Sequence, residues 1–135
     1  MQTAMPRLLF LASLSVVCAF GCGKSDPRPA EEPINAEELA GRLGAAKGIH
    51  DVAEKDKALA RVARDAADAG VAEIADQGLA AMHDVSVKDK AAYAAALRLA
   101  KAGKTEAAAA TARAIHDVSL KDKTLAKIAT GDTGE

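Results

Sequence analysis

The chain of 135 residues carries 18 Lys and Arg against 19 Asp and Glu; 50% of its residues are apolar and only 2% aromatic. That length fits one small domain. The interspersed, nearly cancelling charge gives no one-signed field of the kind a nucleic-acid groove or a polybasic membrane surface needs, so nucleic acid is not an expected partner.

The first element in chain order is a sorting segment. Arg7 precedes an apolar run from Leu8 to Phe20, shorter than the roughly 20 residues a bilayer span takes. A positive start, a short apolar stretch and small residues at its end predict a secretory signal peptide over residues 1–21, and an exported mature chain. The stretch Ala19, Phe20, Gly21, Cys22 resembles the lipobox of bacterial lipoproteins. The resemblance implies acylation of Cys22 and anchorage in the bacterial cell envelope. Because Gly23 follows in place of Asp, it also implies the outer membrane. An ordinary signal peptide that merely contains cysteine is the competing reading. Cys18 leaves with the signal and Cys22 is acylated, so an exported domain with no free thiol must be held by packing alone. No cofactor is expected beyond the covalent lipid.

Residues 22–35 contain Pro27, Pro29 and Pro33 and no apolar periodicity. Proline favours an extended chain of about 3.1 Å per residue, so this stretch is expected to act as a tether.

Residues 36–130 contain an internal repeat. IHDVAEKDK from Ile49 returns as MHDVSVKDK from Met82 and as IHDVSLKDK from Ile115, 33 residues later each time. The register holds between these blocks: Ala63 aligns with Ala96, Gly70 with Gly103, Ala75 with Ala108. Leu59, Val62, Ala63, Ala66 and Ala67 follow the spacing of one helical face, and Gly70 supplies a stop. Val71, Ile74, Ala75, Gly78, Leu79 and Met82 form a second stripe at the same spacing. Each repeat is thus expected to be a hairpin of a first-type and a second-type helix. An unpaired second-type helix (Leu39, Leu43, Ala46, Ile49) precedes the hairpins. An unpaired first-type helix (Leu125, Ile128, Ala129) follows them. Asp51, Asp84 and Asp117 are expected to cap the first-type helices, with Ser86–Asp89 and Ser119–Asp122 matching a capping box as the alternative. Such short connections predict an all-α fold, a short α-solenoid of antiparallel helical hairpins.

Over roughly Ala36 to Thr130 this pattern resembles the tetratricopeptide repeat. Ala63 and Ala96 stand at its small first-helix position, Gly70 and Gly103 at its turn, Ala75 and Ala108 at its small second-helix position. Leu59 and Ala92 replace its Trp, Ala66 and Leu99 its Tyr, Val87 and Leu120 its Pro. The resemblance implies a scaffold that binds a peptide or protein on a concave face lined by the helices beginning near Val52, Val85 and Val118. With two complete hairpins, that face would cradle a peptide of a few residues.

Three groups of residues are candidates for function. His50, His83 and His116 repeat in register, and a metal or small-ligand site built on this column is one alternative function. Zinc holds imidazole nitrogens at about 2.0 to 2.1 Å, whereas packed helices stand about 8 to 10 Å apart. One ion is therefore not easily shared between repeats, and no metal is expected. Each ring is expected to serve a second-type helix end, bonding its last carbonyls.

Lys55, Lys57, Lys88, Lys90, Lys121 and Lys123 flank an aspartate in each KDK triplet. They are candidates to meet an acidic partner segment or lipid headgroups. The competing reading is a solvated face whose signs largely cancel. Leu125 and Ile128 belong to the unpaired last helix, whose apolar face is expected to form a homodimer or to receive a helix from another protein. Its competing reading is a frayed helix that exposes little.

Catalysis finds no foothold. The exported chain has no cysteine nucleophile, a single tyrosine (Tyr93), no Gly-rich phosphate loop and no GxSxG elbow. Glu37 and Glu38 fall at a helix start, where they complement the dipole. The expected function is a non-catalytic interaction module. A structural spacer without a specific partner is the remaining alternative.

Overall fold

The computed structural model describes residues 34–134. The signal peptide over 1–21, Cys22 and all of the tether except Ile34 and Asn35 lie outside the described residues. The described chain is all-helical: α1 Ala36–Lys47, α2 Val52–Asp68, α3 Ala72–Ala80, α4 Val85–Lys101, α5 Thr105–Arg113 and α6 Val118–Thr130. None of these helices is long and apolar enough to cross a membrane.

Local chemistry sets the helix starts. The Asp51 side chain accepts from the Glu54 N–H, Asp84 from those of Ser86 and Val87, and Asp117 from that of Leu120. The three aspartates are therefore the caps expected of them. Each satisfies one or two of the amide donors that a helix start leaves without a partner in the helix. Asn35 does the same for α1.

The α2–α3 and α4–α5 turns run through Gly70 and Gly103, with φ of 72° and 78°. This left-handed region is cheap for glycine alone. It lets the Val71 N–H reach Ala66 O and the Lys104 N–H reach Leu99 O, both at 2.8 Å. These are the long bonds of a Schellman stop, and they fold the chain back at once into α3 and α5.

The core is made largely of alanine. Ala63, Ala66, Ala67, Ala75, Ala95, Ala96, Ala108 and Ala112 are fully buried, with Leu39, Leu59, Leu99 and Ile115 as its larger members. Small side chains bring helices close. A Cβ built on Gly78 of α3 would stand 3.4 Å from the Ala63 Cβ and from the Leu59 carbonyl of α2. α2 packs along α3 and α4, α4 along α5 and α6, and α1 lies on α2. The first-type helices α2, α4 and α6 are thus neighbours, each internal one backed by its second-type partner.

Candidate functional site

The HD junctions and the KDK triplets, separate features in the sequence, meet in space. Asp56, the middle residue of the first triplet, is only 2% exposed. Its carboxylate accepts from the backbone N–H of His83 at 3.1 Å and of Asp84 at 2.8 Å. Asp89 repeats the arrangement one hairpin later, accepting from His116 at 3.0 Å and Asp117 at 2.8 Å. Each triplet aspartate therefore clasps the junction that opens the next first-type helix. Asp89 forms this clasp in place of the capping box with Ser86.

The histidine rings turn toward the same carboxylates. His116 Nδ1 lies 3.1 Å from Asp89 Oδ1, and His83 Nδ1 lies 3.7 Å from Asp56 Oδ1. For His116 this corrects the expectation that the ring bonds its own helix's last carbonyls: a buried carboxylate opposite is the stronger acceptor. His50, at the equivalent place before α2, is exposed. The position upstream that corresponds to Asp56 and Asp89 is Gly23. Among the described residues no group of three His, Cys, Asp or Glu side chains converges as a metal ion requires.

Burial is the largest influence on the Asp56 and Asp89 carboxyls and pushes them up. The backbone N–H bonds they accept, with the adjacent histidine ring, together outweigh it. Both are held below the ordinary carboxylate value. Asp84 is also held low, chiefly by the Val87 N–H it caps and by Ser86.

The lysines of the triplets stay at the surface: Lys57, Lys90 and Lys123 are exposed, and Lys55, Lys88 and Lys121 half-buried. Lys57 pairs with Glu54 at 2.7 Å. One face of α2 and α4 forms a cleft of about 210 Å³ lined by Ala60, Arg64, Val87, Lys90, Ala91 and Ala94. Its floor is apolar, and two cations stand at its rim. Val52, Val85 and Val118, each the first residue of its helix, are 51%, 51% and 66% exposed.

On α6, Ile128 is buried in the core and Leu125 is half-buried, so Leu125 offers more side-chain surface to a partner. Sequence reasoning missed Asp56 and Asp89 as structural partners. The available signal was an aspartate held at the same place in every triplet.

No protein-family model matches the chain. Neither the curated proteins nor the solved structures yield a match.

Proposed function

We propose that this protein is a non-catalytic interaction module, a short α-solenoid of tetratricopeptide-like hairpins carried at a bacterial membrane by acylated Cys22. The observation that carries this reading is the α2–α4 cleft, with its floor of Ala60, Ala91 and Ala94 and its rim of Arg64 and Lys90. An apolar floor with cations at its edge suits a short segment that offers one apolar and one acidic side chain. The tether would hold this cleft a few nanometres at most from the lipid, at about 3.1 Å per residue.

A photo-crosslinking residue at Val87, placed in the anchored protein in its native envelope, tests the reading. One recurrent protein adduct is expected, lost when Arg64→Glu and Lys90→Glu reverse the rim. Equal capture from Ala110, on the exposed side of α5, refutes a cleft-specific partner. The anchor is tested by labelling with a palmitate analogue: incorporation ends on Cys22→Ser if the lipid sits there, and persists if it does not.

A further inference from the structure

Among the described residues, the clasp has an unpaired counterpart at each end of the helix array. Asp122 stands in α6 where Asp56 stands in α2 and Asp89 in α4, yet it is exposed and accepts no hydrogen bond among the described residues. The backbone N–H groups of His50 and Asp51 stand where those of His83 and Asp84 are clasped, and they too have no acceptor among the described residues. One end thus presents a carboxylate and the other the two amide donors it suits.

The apolar faces divide in the same way. Leu59 and Ala92 are 0% and 1% exposed beneath their second-type helices. Their equivalent Leu125 is half-buried. Ala63 and Ala96 are fully buried, while their equivalent Ala129 is exposed. At the other end, Ala45 of α1 is exposed where its equivalents Gly78 and Thr111 are buried. A Cβ added at Gly41, whose equivalent Ile74 is buried in α3, would meet nothing within 4 Å among the described residues. Among the described residues, α6 has no second-type helix over the face that α3 and α5 cover on α2 and α4, and α1 is a second-type helix whose matching face is uncovered. Because this position holds Gly in α3 and Thr in α5, an alanine fits it.

We propose that copies of this chain associate head to tail. α1 of one copy seats on α6 of the next, and Asp122 accepts from the His50 and Asp51 N–H groups of the incoming copy. The contact is heterologous: the patch that gives differs from the patch that receives, so the assembly extends past a dimer unless the rotation closes it into a ring. It continues the interface already made twice within the chain, and it uses a surface other than the α2–α4 cleft.

The internal pair supplies a geometric test. Gly78 and Ala63 would bring two Cβ atoms to 3.4 Å, close to the roughly 3.5 to 4.5 Å of a disulfide. Their counterparts across the proposed contact are Ala45 and Ala129. The full chain carrying Ala45→Cys and Ala129→Cys, oxidised in its native envelope, is expected to run as a ladder of dimers, trimers and larger species on a non-reducing gel. The parent chain, which shares Cys18 and Cys22, sets the background. The two single variants expressed together should stop at dimers.

Asp122→Ala in the double variant is expected to weaken association about tenfold, as loss of charge-assisted hydrogen bonds does. Monomers alone from the double variant, or dimers from Ala129→Cys alone, overturn head-to-tail association. An undiminished ladder with Asp122→Ala overturns the clasp. Failure of the ladder with adducts from Val87 intact separates this inference from the cleft reading, since neither measurement uses the other's residues.

Discussion

The carboxylate of Asp89 accepts a 2.8 Å hydrogen bond from the backbone N–H of Asp117, and Asp117 in turn accepts from Leu120 to start α6. Two aspartates in series therefore connect one first-type helix to the start of the next. Asp56 and Asp84 do the same one hairpin earlier. Because both members carry negative charge, the link depends on the amide donors between them: Asp56, Asp84 and Asp89 each accept from two backbone N–H groups, and Asp117 from one.

Removing the buried member should cost stability. Asp89→Ala leaves the His116 and Asp117 amides without their acceptor, a loss of about 2 kcal/mol. Asp89→Asn keeps one carbonyl oxygen and should lose about half as much. Urea midpoints of the two variants check this, and Asp56→Ala and Asp56→Asn should give the same order. A midpoint for Asp89→Ala equal to the parent's would mean that the hydrogen bonds contribute nothing.

The same carboxylates set the acid limit of stability. Their values in the fold lie below the ordinary 3.8, so the folded state binds protons less readily than the unfolded chain. Their contribution is fully present above the ordinary value and is lost as pH falls through the lowered ones. Unfolding midpoints should drop as pH falls below about 4. In a chain carrying Asp56→Asn and Asp89→Asn, the drop should be shallower. An unchanged drop would place the acid sensitivity in other groups.

The helices and caps were legible in the sequence because their causes are local. Leu59, Val62, Ala63 and Ala66 repeat at helical spacing, Gly70 and Gly103 supply the left-handed stops, and an aspartate before a helix has one dominant use. The clasp was not legible, because Asp56 and the amides of His83 and Asp84 lie far apart in sequence and become neighbours only when α2 packs on α4. A KDK triplet looks like solvated surface, yet in α2 and α4 its middle aspartate is buried and half of its lysines are half-buried. The His116 ring escaped the sequence for the same reason: the Asp89 carboxylate that captures it comes from another helix.

The caps make a graded series. Asp84 accepts from two amides at 2.8 and 3.0 Å, whereas Asp51 and Asp117 each accept from one. Loss of such a cap costs about 1 kcal/mol, up to about 2 where it is best satisfied. Asp84→Ala should therefore reduce stability more than Asp51→Ala, and Asp84→Ser should recover most of the loss. Hydrogen exchange at the Ser86 and Val87 amides should quicken in Asp84→Ala and return toward the parent rate in Asp84→Ser. Fast exchange at both amides in the parent chain would count against the cap.

Glycine serves opposite purposes in this chain, and alanine substitutions separate them. Gly44 lies inside α1 with open space where a Cβ would go. Gly44→Ala should therefore raise stability by about 1 kcal/mol through helix propensity alone. Gly103 has equally open space but sits at φ 78°, so Gly103→Ala should lower stability by about 1 to 2 kcal/mol. Gly78 has helical geometry with Ala63 and Leu59 3.4 Å away. There the propensity gain is opposed by the need for α2 and α3 to move apart by a few tenths of an ångström, and close-packed helices yield little. The order of urea midpoints should run Gly44→Ala above the parent, Gly78→Ala near or below it, and Gly103→Ala lowest. If Gly78→Ala matched Gly44→Ala in gain, the α2–α3 contact would be loose, and the disulfide distance assigned to its counterpart between copies would lose its basis.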